Sequence, residues 1–199
     1  MPRTRRSPGS PDAVKLLVAT ANPHKVTELR HTLPGWQIEA WQAPEPPVED
    51  GDTFEENARI KARHARAYAP SDVWVAGEDS GIEAAGLGGR PGVESARWAE
   101  DGVAALLAAL AGGSDRHARY VCAIVAISPG GDELVATGTL EGVVADEPRG
   151  SEGFGYDPIM VPVGETRTVA ELGDAWKAEH SHRARAARAL ASDLEERPW

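Results

Sequence analysis

The sequence is poor in cysteine and in positive charge and has no long apolar run, and each shortage argues against a class of protein. Cys122 is the only cysteine among 199 residues, so an intrachain disulfide is impossible and a reducing compartment is favoured. The net charge of −10 argues against a broad surface for nucleic acid. No apolar run approaches the length of a membrane-spanning helix. We therefore expect a cytoplasmic protein without a nucleic-acid or membrane partner.

The remaining composition is that of a globular α/β protein. Hydrophobic residues make up 41% of the chain and charged residues 26%. Residues 1–13, rich in Arg, Pro, Ser and Gly, predict a disordered basic tail, and residues 14–199 are enough for one large domain or for two lobes that share a cleft. The patterns predict strands at Val14–Ala19, Ile38–Trp41, Val73–Ala76, Tyr120–Ser128 and Glu133–Val144. They predict helices at Pro23–His31, Phe54–Ala69 and Asp101–Ala111. A last helix contains Lys177, His182 and Arg183 in its first part and runs to about Leu194.

Two adjacent acids follow one short apolar run of the sequence. The run Val73–Ala76 predicts a strand that stops at Gly77, and Glu78 and Asp79 come next. Ser80 and Gly81 would then turn the chain. Because like charges repel at that distance, a divalent cation bound by the carboxylate oxygens would relieve the repulsion. The alternative is a solvated Asp-Ser-Gly turn without a ligand.

The polar segment after the first strand, Thr20–Lys25, predicts a phosphate site. Asn22 can cap the following helix and Pro23 suits its first position. The free N–H groups and dipole of a helix N-terminus attract phosphate, and Lys25 adds a positive charge. The spacing is not that of a P-loop, and an ordinary capped helix is the alternative.

Three further polar features leave two interpretations each. The acidic segment Ala43–Asp52 is either a solvated loop or a loop that delivers one acid to a metal. The glycine-rich segment Glu152–Pro158 either packs its aromatic residues or stacks one on a flat ligand. His180 and His182 could form a metal pair, but no third ligand of the right type lies nearby in the sequence, which disfavours it.

Six motifs occur in order between about Lys15 and Leu190. They are Thr20-x-Asn22-x-x-Lys25, Asp50-Gly-x-Thr53-Phe-x-Glu56-Asn57-Ala58, Asp79-Ser80-Gly81, Leu87-Gly-Gly-x-Pro91-Gly92-x-x-Ser95-Ala96-Arg97, Gly153-Phe-Gly-Tyr-Asp-Pro158, and Lys177 with Ser181-His182-Arg183. Together they resemble the inosine triphosphate pyrophosphatases, which hydrolyse non-standard purine nucleoside triphosphates. The resemblance implies an elongated, twisted mixed β-sheet flanked by helices, with a nucleotide cleft between two lobes. It also implies a homodimer, Mg²⁺ dependence with Mn²⁺ as a possible substitute, and cleavage of ITP, dITP and XTP to monophosphate and pyrophosphate.

The resemblance also implies roles for particular residues. Asp79 matches the general base and metal ligand, and Glu49 is the preferred second metal ligand, with Glu45 and Glu78 left open. Phe154 would stack on the purine, and the cationic groups near it would donate to a 6-oxo group that adenine lacks. The implied substrate-binding residues are Thr20, Ala21, Asn22, Pro23, His24, Lys25, Ser80, Phe154, Gly155, Tyr156, Asp157, Lys177, His182 and Arg183.

The chain departs from the family pattern at three places. The chain has Glu78-Asp79 where the family usually has two aspartates, Ala21 replaces a glycine, and the stretch after Arg97 is shorter than usual. Two other functions therefore stay open. One is a pyrophosphatase for modified pyrimidine nucleotides, which the base-contacting residues Phe154, Lys177, His182 and Arg183 disfavour. The other is a nucleotide-binding regulator without turnover, which Glu78 and the shortened stretch favour.

Overall fold

The computed structural model describes residues 14–113 and 115–196. The predicted disordered tail, residues 1–13, lies outside the described residues. The strands are β1 (Lys15–Ala19), β2 (Gln37–Trp41), β3 (Trp74–Ala84), β4 (His117–Ile127), β5 (Glu133–Val144) and β6 (Met160–Pro162), and the helices are α1 (Pro23–Thr32), α2 (Phe54–Tyr68), α3 (Gly102–Ala109), α4 (Val169–His180) and α5 (His182–Glu196).

The strands form one mixed sheet in the order β2-β1-β3-β4-β5-β6. β1 runs parallel to β2 and β3, and the other neighbouring pairs are antiparallel. α2 packs on one face of the sheet, whereas α1 and α5 share an apolar core on the opposite face. This arrangement confirms the predicted α/β fold of a mixed sheet flanked by helices. In the part of the chain that the structure describes, no helix combines the length and apolar character needed to cross a membrane.

The central strand is longer than the sequence suggested. The prediction that it stops at Gly77, with a turn at Ser80 and Gly81, is wrong because β3 pairs with β4 continuously through this segment. Gly77 serves helix packing instead. A Cβ placed there would lie 2.0 Å from the carbonyl oxygen of Ala58, so only glycine allows α2 to approach β3 this closely.

The neighbouring strand β1 ends at Ala19, as the sequence predicts. Its last residue, Ala19, pairs with Gly77, so β3 continues beyond it with one edge no longer covered by β1. Three residues separate the end of β1 from the helix α1, whose first residue is Pro23. The end of β1, the start of α1 and the uncovered edge of β3 therefore meet in one place.

Buried charge divides the apolar core on one face of the sheet. Alternate residues of β3 point to that face. Ala76 belongs to one apolar cluster and Ile82 to another, and the polar residues Glu78 and Ser80 lie between them. Since burying a charge is costly unless it is paired, this band must contain compensating groups.

The last helical region is two helices rather than one. The sequence placed Lys177, His182 and Arg183 in a single helix, but Lys177 lies on α4 and the other two residues on α5. Ser181, between the helices, has extended backbone angles, and its hydroxyl accepts a hydrogen bond from the N–H of Ala184 at 3.1 Å. It caps the second helix, which is why the chain changes direction there.

Candidate active site

The two acids of the central strand face opposite sides of the sheet. Because successive side chains of a strand alternate, Glu78 points towards α1 and α5, and Asp79 points towards α2. The predicted crowding of the two carboxylates in one place is therefore wrong. Each has its own cationic partners, which removes the argument that a metal is needed to relieve their repulsion.

Asp79 lies against a lysine that the sequence analysis did not single out. The ammonium of Lys61, on α2, lies 2.9 Å from Asp79 Oδ1 and 2.8 Å from Glu49 Oε2. Asn57 Nδ2 donates to the other oxygen, Asp79 Oδ2, at 3.4 Å. Burial raises the pKa of Asp79, although Lys61 partly offsets this effect. Burial opposes charge on Lys61, but Asp79 and Glu49 outweigh it and its pKa is raised.

Local hydrogen bonds at the start of α2 hold this arrangement in place. Thr53 and Glu56 form the predicted capping box. Asn57 Oδ1 accepts from the N–H of Gly51 at 2.9 Å, and Asn57 Nδ2 also donates to the carbonyl of Gly51 at 3.3 Å. The loop that carries Glu49 is thereby tied to the helix that carries Lys61. The Glu45 side chain is exposed, and only its carbonyl oxygen is held, by His64.

Glu78 is held by two cations and a thiol on the other face of the sheet. Lys25 Nζ lies 2.6 Å from Oε2 in an ion pair without hydrogen-bond geometry. Arg183 donates to Oε1 from Nη2 at 3.0 Å and from Nε at 3.2 Å, and the Cys122 thiol donates to the same oxygen at 3.2 Å. Burial opposes ionisation of Glu78, but Arg183 and Lys25 outweigh it, so its pKa lies well below the usual value.

The segment Thr20–Lys25 adopts the capped geometry that the sequence predicts. Thr20 Oγ1 accepts from the N–H of Asn22 at 3.1 Å, and Asn22 Oδ1 accepts from the N–H of His24 at 3.0 Å. Ala21 is exposed beside them, and Pro23 is the first residue of α1. Ser80, on β3 beyond the last residue paired with β1, accepts at its Oγ from Arg183 Nη2 at 2.8 Å.

Glu28, on α1, joins the two cationic residues expected at the purine. Its Oε1 lies 2.5 Å from Lys177 Nζ, and its Oε2 accepts from Arg183 Nη1. Lys177 also donates to Asp157 Oδ2 at 2.7 Å. Burial raises the pKa of Asp157, and its Oδ1 accepts from the Tyr120 hydroxyl at 3.1 Å. Burial disfavours charge on Lys177, but the carboxylates of Asp157 and Glu28 outweigh it and raise its pKa.

Phe154 forms the aromatic surface beside this cluster. Lys177 Nζ lies 4.6 Å and Arg183 Cζ 5.6 Å from its ring centroid. The imidazole of His24 stacks on the ring, with centroids 5.3 Å apart and planes 25° apart. A cavity of about 110 Å³ adjoins them, lined in part by Glu28 and by Gly153. Phe154, His24 and the two cations therefore converge.

Two other predicted residues of this loop behave differently. Gly155 is exposed and has a φ of +61°. The side chain of Tyr156 is buried in the apolar core, and its hydroxyl donates to the carbonyl of Ser95 at 2.9 Å. Tyr156 therefore anchors the loop to the apolar core and does not line the cavity beside Phe154.

His182 is buried and only partly satisfied. Its ring packs against Tyr120 at 4.6 Å, and its Nδ1 has no hydrogen-bond partner among the described residues. Burial, followed by the nearby charge of Arg183, lowers its pKa well below the ordinary value, so it is neutral at pH 7. His180 is exposed and packs on Trp176, so the two histidines do not form a metal pair.

Glu28 and Lys61 are charged site residues that sequence reasoning missed. Each is a charged residue on the buried side of its helix, Glu28 between Val26 and Leu29, and Lys61 beside Ala62. A charged side chain in such a position requires a buried partner of opposite charge. The charge within an otherwise apolar helix face is therefore the signal in the sequence that could have identified both residues.

The site as a whole has three chemical parts. The end of β1 and the start of α1 offer an anion site. Asp79 offers a buried carboxylate with a raised pKa. Phe154, together with Lys177 and Arg183, offers a surface for a flat ring that accepts hydrogen bonds. Over the described residues, no group of three His, Cys, Asp or Glu side chains converges on a metal position.

Comparison with known proteins extends over almost the whole described chain. Residues 16–193 match the Ham1 family. A protein of Symbiobacterium thermophilum named dITP/XTP pyrophosphatase is 48% identical over 193 residues, which cover 92% of this chain and 95% of that protein. A protein of Bdellovibrio bacteriovorus with the same name is 41% identical over 198 residues, covering 92% of this chain and 98% of that protein.

Solved structures show the same likeness. A HAM1 protein from Coxiella burnetii is 36% identical with a TM-score of 0.80, covering 92% of this chain and 100% of that one. The Ham1 protein of Staphylococcus aureus is 33% identical with a TM-score of 0.79, covering 91% of this chain and 98% of that one. All the candidate site residues, from Thr20 to Arg183, lie within the matched segment.

Proposed function

The chain belongs to the Ham1 family, and from this premise we propose that it hydrolyses ITP, dITP and XTP to the nucleoside monophosphate and pyrophosphate. Family membership confirms the resemblance seen in the motifs. The observation that carries the proposal is the meeting of three parts at the end of β1. An anion site and an aromatic surface flanked by paired cations lie on the side of β3 that faces α1 and α5, and the buried carboxylate of Asp79 lies on the opposite side, where β3 continues beyond β1.

The triphosphate binds where α1 begins. The free N–H groups of its first turn and the ammonium of Lys25 attract the phosphates. Ser80 lies on β3 beyond the last residue paired with β1, so its main-chain and hydroxyl groups on that edge can reach a phosphate oxygen. When phosphate replaces Glu78 as the partner of Lys25, Arg183 still neutralises Glu78.

Asp79 accepts the proton of the attacking water. The water oxygen forms a bond to the α-phosphorus, the bond from that phosphorus to the bridging oxygen breaks, and pyrophosphate leaves. Burial raises the pKa of Asp79 above its ordinary value, which strengthens the carboxylate as a base. The hydrogen bond from Asn57 orients the carboxylate.

A divalent cation fits beside Asp79 and Glu49. Both carboxylates have an oxygen within hydrogen-bond distance of the same nitrogen, so they converge on one point. Mg²⁺ is commonly bound in proteins by one or two carboxylates together with waters and substrate phosphates, which suits a place with only two acids. Mg²⁺, or Mn²⁺ in its place, would neutralise charge on the phosphates when bound. The exposed position of Glu45 favours Glu49 as the second ligand.

The purine is selected beside Phe154. Lys177 has three N–H donors, and Glu28 and Asp157 use two of them. The contacts of Arg183 with Glu28, Glu78 and Ser80 use four of its five donors. One donor on each remains for a 6-oxo group. Adenine presents an amino group there and would leave both donors unpaired, which is costly on burial.

The wider setting is proposed from the family resemblance and the composition. We infer a cytoplasmic homodimer of a single domain, with no nucleic-acid partner. The balance of 31 acidic against 21 basic side chains supports the last point.

A pyrophosphate-release assay tests the proposal. ITP, XTP, ATP and a methylated pyrimidine triphosphate are compared at equal concentration with Mg²⁺, and Asp79→Asn serves as the inactive control. We expect release from ITP and XTP only. Turnover of the pyrimidine alone would favour the pyrimidine pyrophosphatase, and binding of ITP without pyrophosphate release would favour a regulator.

A further inference from the structure

The ammonium of Lys61 lies between the two carboxylates that suit a divalent cation. Its nitrogen is 2.8 Å from Glu49 Oε2 and 2.9 Å from Asp79 Oδ1. The lysine side chain is only 11% exposed, so water does little to screen these contacts. An ammonium and a divalent cation cannot both occupy a point enclosed by the same two oxygens.

We propose that Lys61 is the resident counter-ion of the metal position and that a divalent cation must displace its ammonium in order to bind. The proposal rests on the metal position given under the proposed function. Asp79 is largely buried, and a buried carboxylate without a partner is costly. Lys61 supplies that partner while no metal is bound, and the metal supplies it afterwards.

The surroundings allow this exchange. Lysine has a flexible four-carbon stem, so its ammonium can move while its backbone stays in α2. Asn57 holds the carboxylate of Asp79 and the backbone of Gly51, two residues from Glu49, without help from Lys61. The exchange thus moves the lysine side chain and leaves Asp79 held for the metal.

The exchange also couples metal binding to nucleotide binding. The displaced ammonium retains its charge and needs an anionic partner, which the triphosphate provides. The protein without nucleotide should therefore bind a divalent cation weakly. Bound nucleotide should strengthen the binding of the cation by the protein, by more than the nucleotide's own affinity for the metal accounts for.

Mn²⁺ binding to the nucleotide-free protein tests the proposal, with free Mn²⁺ counted by electron paramagnetic resonance. Lys61→Met keeps the stem and removes the ammonium, and we expect it to bind Mn²⁺ about tenfold more tightly or better than the parent protein. Lys25→Met is the matched control. It removes the same charge from a lysine that pairs with Glu78 and leaves the position between Asp79 and Glu49 filled. A smaller gain is expected for it.

Three outcomes would overturn the inference: unchanged affinity in Lys61→Met, weaker affinity, or an equal gain in both variants, since an equal gain would reflect general electrostatics alone.

If Lys61→Met does not fold, the parent protein gives a second readout. Adding Mg²⁺ should accelerate acetylation of Lys61 by an amine-reactive reagent, relative to the exposed Lys15, as measured by peptide mass spectrometry. Unchanged or slower labelling contradicts displacement. Neither measurement requires turnover, so failure of the proposed reaction would be seen separately.

Discussion

Replacing Lys177 by methionine removes the ammonium that joins the acids of the purine site. Lys177 Nζ lies 2.5 Å from Glu28 Oε1 and 2.7 Å from Asp157 Oδ2, and all three side chains are at most 10% exposed. Without Lys177, Asp157 loses its cationic partner and Glu28 keeps only Arg183, and breaking a buried ion pair costs about 3–5 kcal/mol. We expect the free energy of unfolding, measured in urea at pH 7, to fall by about that amount. Lys15→Met, which loses an exposed contact to Glu39, should change it by less than about 1 kcal/mol.

The same substitution should reduce the preference for ITP over ATP. The Lys177 donor that a 6-oxo group would satisfy is absent from the variant, so adenine is no longer penalised for leaving it unpaired. An unsatisfied buried donor costs about 1–3 kcal/mol, which corresponds to about a 5- to 150-fold loss in the ratio of kcat/KM for ITP to that for ATP. Pyrophosphate release is measured with both substrates on protein shown by circular dichroism to be folded. An equal loss on both substrates would refute the assignment, because Lys177 would then serve the phosphates or the fold.

Three further predictions concern Asp79, the metal and His182. Asp79→Asn should abolish turnover with an unchanged circular dichroism spectrum, because an amide cannot accept the proton of the water; near-parental ITP hydrolysis would exclude Asp79 as the base. Exhaustive chelation should abolish turnover and Mg²⁺ or Mn²⁺ should restore it; activity that survives chelation would exclude the metal. Because the pKa of His182 is depressed in the folded protein, its neutral form stabilises the fold fully above about pH 6.5, and this stability is lost by about 1.4 kcal/mol per unit as the pH falls below that value. His182→Gln should flatten the dependence of the urea midpoint between pH 7.5 and 5.5, and an unchanged slope would contradict the depressed pKa.

Local signals in the sequence predicted the elements that local chemistry determines. The capping box of Thr53 and Glu56 and the cap at Asn22 gave the starts of α2 and α1 correctly. The motifs gave the family, and with it the fold class. These features depend on residues a few positions apart, which is why they are readable without the structure.

Contacts between distant segments could not be read in this way. Gly77 looked like the end of a strand, but its small size serves the approach of α2, which is visible only in the packed structure. Adjacency of Glu78 and Asp79 suggested one acidic site, whereas the extended backbone places them on opposite faces of the sheet. Lys61, which pairs with Asp79 across 18 positions, carried no motif of its own in the sequence analysis.

Hydrolysis of ITP in oxygen-18 water tests the central claim most directly. If water, deprotonated by Asp79, attacks the α-phosphorus, the label appears in inosine monophosphate and the pyrophosphate contains none. Mass spectrometry of the two products distinguishes the positions after a single turnover. Label in the pyrophosphate, or release of inosine diphosphate and phosphate, would contradict the account.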